Sequence, residues 1–205
     1  MGFPNTNQVR TVIKPVWFIA CLLPFLFLLA DGLLDNGRGL GADPIETIQD
    51  RMGIWGLRFL LLTLALTPIR TLTGLLWVIQ LRRMTGLFTL FYISLHFLNY
   101  LTLDQGLAWS FILEDVIERP FITLGFIAFL GLIPLGITST AGWRRRLRQR
   151  WQSLHRLVYP IAILGCWHFW WQVKQDISEP LVYALILTVL LGARLVKRKK
   201  RPASN

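Results

Sequence analysis

Apolar residues along this chain collect into six runs, with most of the charge gathered between them. The runs occupy about 16–34, 54–69, 86–103, 121–138, 154–173 and 181–196. As helices rising about 1.5 Å per residue, runs of about 20 residues cross the roughly 30 Å hydrocarbon layer of a bilayer. The pattern predicts an all-α integral membrane protein, a six-helix transmembrane bundle that forms one domain over 1–205 with a basic tail at 197–205. The second run is the shortest. Its sixteen residues reach about 24 Å, and Pro68 with Arg70 is expected to stop it, so it is expected to borrow a turn from Met52.

Charge then orients the runs. Lys and Arg gather in four places, Arg10 with Lys14, Arg70 to Arg83, Arg144 to Arg156 and Arg194 to Arg201, which hold 17 of the 22 basic residues. All 11 acidic residues fall in the alternate segments, Asp31 to Asp50, Asp104 to Glu118, and Asp176 with Glu179. Basic segments stay on the cytoplasmic side, so both termini are expected inside. The first run, ending "FLLAD", also resembles a secretory signal cleaved after Ala30, but it is long enough to span and lacks a small-x-small cleavage pattern, so it is expected to be retained.

Composition narrows the classes further. With 54% hydrophobic and 16% charged residues the chain is too apolar for a soluble domain. Its net charge of +11 sits in short blocks beside apolar runs, the signature of membrane orientation and not of nucleic-acid binding. Cys21 and Cys166 lie within apolar runs and imply neither a disulfide framework nor a zinc site. No dinucleotide-binding turn, P-loop, H-E-x-x-H pair or nucleophile elbow is present. No internal repeat is evident either. In "GLGADPIETIQDRMG", Asp43 is placed to cap, Pro44 to open and Glu46 to reach back from a short surface helix ending near Arg51, read here as a connector. Tryptophans 17, 55, 77, 109, 143, 151, 170 and 171 fall near the ends of runs and read as interfacial anchors. Gly125, Gly131 and Gly136 permit close helix approach, and Pro134 is placed to kink the fourth run where Thr138, Ser139 and Thr140 can satisfy freed carbonyls.

The chemistry rests on three histidines. An imidazole inside an apolar run marks a functional site by default. With the third and fifth runs both heading outward, His96 lies about 10 Å from its outer end and His168 about 8 Å from its own. Two neutral imidazoles at one depth on two helices can fill both axial positions of a haem; the plain alternative is two histidines bonded to neighbouring helices. His155 precedes His168 by thirteen residues, about 20 Å along a helix and roughly 140° around it, so one helix face does not hold both. It reads equally as a ligand or as a solvated interfacial residue. Arg83 and Arg156 stand near that inner end, and guanidinium groups suit haem propionates or a flavin phosphate.

The blocks "GLGADPIETIQDRMGIWGLRFLLLTLALTPIR", "RRMTGLFTLFYISLHFLNYL", "RPFITLGFIAFLGLIPLGITST" and "RWQSLHRLVYPIAILGCWHFWW" closely resemble the MsrQ (YedZ) family over nearly all of 22–193. That family comprises the haem-binding membrane subunits of the bacterial periplasmic methionine sulfoxide reductase system, within the ferric-reductase-like transmembrane superfamily. The wider superfamily pairs two histidines about thirteen residues apart on each of two helices. His155 and His168 match one pair, His96 matches the outer member of the other, and Arg83 stands at its inner position. The resemblance implies haem b, one group or two, held by His96, His168 and His155 as metal ligands, with Arg83 and Arg156 as further cofactor-binding residues and FMN as a second cofactor. It also implies a multi-pass protein of the bacterial inner membrane, an electron-transfer subunit and not itself an enzyme. Electrons from the respiratory quinone pool or a cytosolic flavin reductase would cross to the periplasmic molybdopterin subunit MsrP, which repairs methionine sulfoxide in oxidised envelope proteins. Two other readings are a stand-alone quinol or ferric reductase, which would carry a soluble flavin and nicotinamide domain not present after Val196, and a haem-free membrane anchor.

Overall fold

Asp43 accepts a hydrogen bond from the Glu46 N–H at 2.9 Å, Pro44 takes the first helical position, and from there one helix runs to Thr73. The structure is a computed structural model and describes residues 4–34, 37–173 and 176–199. Its helices are α1 (Thr6–Gln8), α2 (Lys14–Leu33), α3 (Pro44–Thr73), α4 (Arg82–Asn99), α5 (Trp109–Glu118), α6 (Pro120–Ile137), α7 (Ala141–Leu147), α8 (Gln149–His155), α9 (Val158–Gln172) and α10 (Ser178–Lys199). There is no strand among the described residues. Four helical runs, Thr6–Leu33, Pro44–Thr73, Leu76–Asp104 and Pro120–Ile137, are long and apolar enough to cross a membrane. Residues 200–205 of the expected basic tail lie outside the described residues.

The structure differs from the sequence reading in three places, each for a local reason. The expected surface helix at 44–51 and the second apolar run are one element, because nothing between Arg51 and Ile54 ends a helix and the Met52 side chain is buried. At thirty residues α3 is about 45 Å long, more than a bilayer core needs. Pro68 does not stop it. A proline removes the N–H that would bond the carbonyl four residues back, here that of Leu64. The Arg194 guanidinium on α10 donates to that Leu64 oxygen at 2.5 Å, and α3 continues until Gly74 caps it in the left-handed region at φ 73°. The fifth run, finally, is divided: His155 ends α8, Arg156 and Leu157 form a turn, and α9 carries His168.

Packing arranges these helices around one space. α3 lies closely along α4 and α6 along α9, while α4 also meets α6 and α3 meets α9, closing a four-helix ring. Leu57, Leu60, Leu64, Leu132, Ile161 and Ala162 form its buried core, with α10 packed outside against α9 and α3. α2 is fastened to α4 by an inserted hydroxyl: Tyr92, fully buried, donates to the Cys21 carbonyl at 2.9 Å and accepts from the Phe25 N–H at 3.0 Å. That places the hydroxyl between a helical donor and its usual acceptor, beside Pro24. Trp17 adds a bond from its indole to Thr85 Oγ1 at 3.1 Å. Gly131 and Gly136 do take the side chains of Ile161 and Leu90 closely, as expected of packing glycines.

Candidate functional site

Between α3, α4, α6 and α9 lies a cavity of about 620 Å³, walled mainly by apolar side chains such as Leu57, Ile93, Phe97, Phe129, Leu132 and Phe169. His96 from α4 and His168 from α9 both line it. Their ring centroids are 6.2 Å apart and their planes stand at 82°. The sequence placed these two at one depth, and the fold brings them together, edge to face, in the wall of one cavity.

Each ring is held by its Nδ1. His96 Nδ1 lies 2.8 Å from the Gln49 carbonyl oxygen on α3, and His168 Nδ1 lies 2.7 Å from the Phe121 carbonyl oxygen on α6. A carbonyl only accepts, so each Nδ1 carries the proton and donates it, which leaves Nε2 as the lone-pair nitrogen. Metal-binding histidines are oriented in this way, the second nitrogen donating to a backbone carbonyl while the first coordinates. The two rings, 6.2 Å apart between centroids, are also close enough to serve one group held between α4 and α9. Among the described residues no group of three His, Cys, Asp or Glu side chains could hold a bare ion. An iron that brings four macrocycle nitrogens needs only the two axial donors this cavity offers. The residues present fit haem.

Polar groups collect at one end of the cavity. Gln49 also points its amide Nε2 to within 3.4 Å of His96 Nε2, and its Oε1 accepts from Asn99 Nδ2 at 2.7 Å. Asn99 is buried and its Oδ1 has no protein partner among the described residues. Asp115, which also lines the cavity, gathers three donors, Arg119 one turn on at 3.1 Å, Gln105 at 3.2 Å and the Tyr100 hydroxyl at 3.3 Å, and the last two tie α5 to the segment that follows α4. Sequence reading missed Gln49, Asn99 and Asp115. Asn99 is a polar residue inside the third apolar run and Gln49 one just before the second, signals on which it could have drawn; the backbone carbonyls of Gln49 and Phe121 carry no sequence signal.

His155 does not join this cavity. It stacks on Trp151, ring centroids 4.0 Å apart, and its Nε2 lies 3.0 Å from Thr138 Oγ1. Because that hydroxyl already donates to the Pro134 carbonyl at 2.6 Å, it accepts from His155, whose Nε2 therefore holds the proton. Trp151, read as an anchor, also donates its indole N–H to the Thr138 carbonyl at 2.8 Å. Arg83 and Arg156 are exposed, and neither lines the cavity. The arginine whose charge bears on His155 is Arg82.

Residues 52–166 match the family described as ferric reductase like transmembrane component. A protein of Xanthomonas euvesicatoria pv. vesicatoria, named protein-methionine-sulfoxide reductase heme-binding subunit MsrQ, is 57% identical over 159 residues, covering 78% of this chain and 73% of that one. The protein of the same name from Rhodospirillum rubrum is 49% identical over 189 residues, covering 92% of this chain and 89% of its own.

Proposed function

The chain belongs to the MsrQ family of ferric-reductase-like transmembrane proteins, and from that membership we propose that it holds one b-type haem between His96 and His168 and conducts electrons across the bacterial inner membrane. The observation that carries this reading is the paired Nδ1 bonding, 2.8 Å on His96 and 2.7 Å on His168, which leaves Nε2 as the lone-pair nitrogen on two histidines that line one apolar cavity. Haem bound there would be held by His96 and His168 and would supply one-electron transfer. The protein's own part is to fix the two tautomers and to exclude water with a largely hydrocarbon wall.

In this reading the chain spans the membrane six times, α9 and α10 supplying the last two crossings, with both termini cytoplasmic. The cavity then lies toward the periplasm, and His155 lies toward the cytoplasm. Electrons arrive from the quinone pool or a cytosolic flavin reductase and leave to MsrP, the periplasmic partner that reduces methionine sulfoxide. The chain performs no sulfoxide chemistry of its own. His155 holds Nε2 protonated against Thr138, which argues against that nitrogen as an iron ligand, and its place on the cytoplasmic side assigns it to the region where electrons enter. Arg83 and Arg156 are the cations assigned there to an FMN phosphate.

Reconstitution tests this. The protein is placed in liposomes with MsrP outside and a flavin reductase or menaquinol as donor, and sulfoxide reduction is followed. The expected result is turnover that requires both the chain and the donor. Turnover by MsrP and donor at the same rate in empty liposomes would exclude the proposed role.

A further inference from the structure

The two histidines reach their carbonyls across equivalent surfaces. Residues four apart on a helix lie one above the other, so a ring that bonds the carbonyl of Gln49 must lie over Gly53, and one that bonds Phe121 must lie over Gly125. Both crossing points are glycine. A Cβ on Gly53 would stand 3.0 Å from Nδ1 and Cε1 of His96, and one on Gly125 would stand 2.9 Å from Nδ1 and 3.0 Å from Cε1 of His168. These are closer than ordinary carbon contacts, and on each side the nitrogen that makes the bond is among the atoms met, the nearest of them at Gly125 and level with Cε1 at Gly53. The spacing is repeated as well: carbonyl, glycine and histidine stand at 49, 53 and 96 and again at 121, 125 and 168, the second set displaced from the first by one constant offset. No similarity of the surrounding sequence announces this repeat.

We propose that Gly53 and Gly125 are positioning residues, whose missing side chains let the His96 and His168 rings lie flat on the neighbouring helix and present Nε2 to the cavity. The consequence for haem rests on the function proposed above, whereas the seating of the rings belongs to the chain alone. A methyl group at either glycine must displace the ring, and because the contact falls on Nδ1 and Cε1 the displacement is taken up by its Nδ1 bond. Losing an orienting bond of this kind weakens a metal site by roughly 10- to 100-fold. Gly192 on α10 is the control, since nothing lies within 4 Å of a Cβ built there.

Three readouts separate the possibilities. In haem-free protein carrying ¹⁵N-labelled histidine, Gly53→Ala and Gly125→Ala should each cost one histidine its Nδ1–H signature, while Gly192→Ala leaves the spectrum of the wild type. In haem titrations the same two variants should bind roughly 10- to 100-fold more weakly. In a His168→Ala background, where no ring remains to be displaced, Gly125→Ala should no longer alter thermal stability. Wild-type tautomers in both alanine variants would overturn the proposal, as would an undiminished stability cost in the His168→Ala background. A wild-type protein that binds no haem would instead refute the proposed cofactor, and the tautomer comparison would still decide the role of the glycines.

Discussion

His96 and His168 face one another at 6.2 Å with their ring planes 82° apart, although they stand on helices well separated in the chain. Each is oriented by a main-chain oxygen, of Gln49 and of Phe121, which substitution of the side chain does not remove. The side-chain amide of Gln49 is a separate and longer contact at 3.4 Å, beyond the usual hydrogen-bond range. Gln49→Ala should therefore retain haem at close to wild-type content after purification. Loss of most of the haem from a folded Gln49→Ala protein would mean that the side chain, not the carbonyl, holds His96.

The second prediction concerns His155. It has no place in the cavity and its Nε2 is engaged by Thr138. His155→Ala should keep the haem spectrum and full reduction by dithionite, while the physiological donor reduces it at least about tenfold more slowly, the loss of rate that a barrier raised by about 1.4 kcal/mol produces. Stopped-flow absorbance with both reductants checks this. Equal rates in variant and wild type with the physiological donor would leave His155 as a structural residue.

Two polar ties, at least partly buried, should carry stability. Arg194 donates to the carbonyl left free by Pro68, and Tyr92 bonds both the Cys21 carbonyl and the Phe25 N–H of α2. Removing one partner of a buried hydrogen bond costs about 1–3 kcal/mol. Arg194→Met and Tyr92→Phe should each lower the apparent melting temperature in detergent by several degrees without shifting the haem bands. An unchanged melting temperature would show that water or lipid headgroups replace these donors at no cost.

How much of this was legible in the sequence depends on what marks a residue. His96 and His168 stood out because an imidazole in an apolar run has few plain reasons to be there, and their depth followed from counting residues along a regular helix. The division of the fifth run at Arg156 and Leu157 was not legible, since the nearest breaker, Pro160, is of a kind that transmembrane helices tolerate. The angular offset between His155 and His168 hinted only that a straight helix was unsuitable. α3 was misread for the opposite reason. Arg51 and Pro68 look like interruptions, but Arg51 finds Asp31 at 2.5 Å and the carbonyl freed by Pro68 finds Arg194, partners from distant parts of the chain. Main-chain acceptors such as those of Gln49 and Phe121 belong to every residue and are invisible until the helices are packed.

The proposed orientation rests on the alternation of basic and acidic segments and is tested separately. A reporter active only in the cytoplasm should be active when fused after Asn205 and silent when inserted within 104–118, and a reporter active only in the periplasm should give the reverse. A periplasmic signal from the first fusion would reverse the direction proposed for electron flow.

The central claim is that one haem sits between His96 and His168, and the most direct measurement is the haem content and electron paramagnetic resonance of the purified ferric protein, beside His96→Ala, His168→Ala and His155→Ala. Wild type and His155→Ala should show the same low-spin signal, strongly anisotropic because the two imidazole planes are near perpendicular, and His96→Ala and His168→Ala should each lose it together with most of the haem. A low-spin haem at full occupancy in folded His96→Ala or His168→Ala protein would contradict the account.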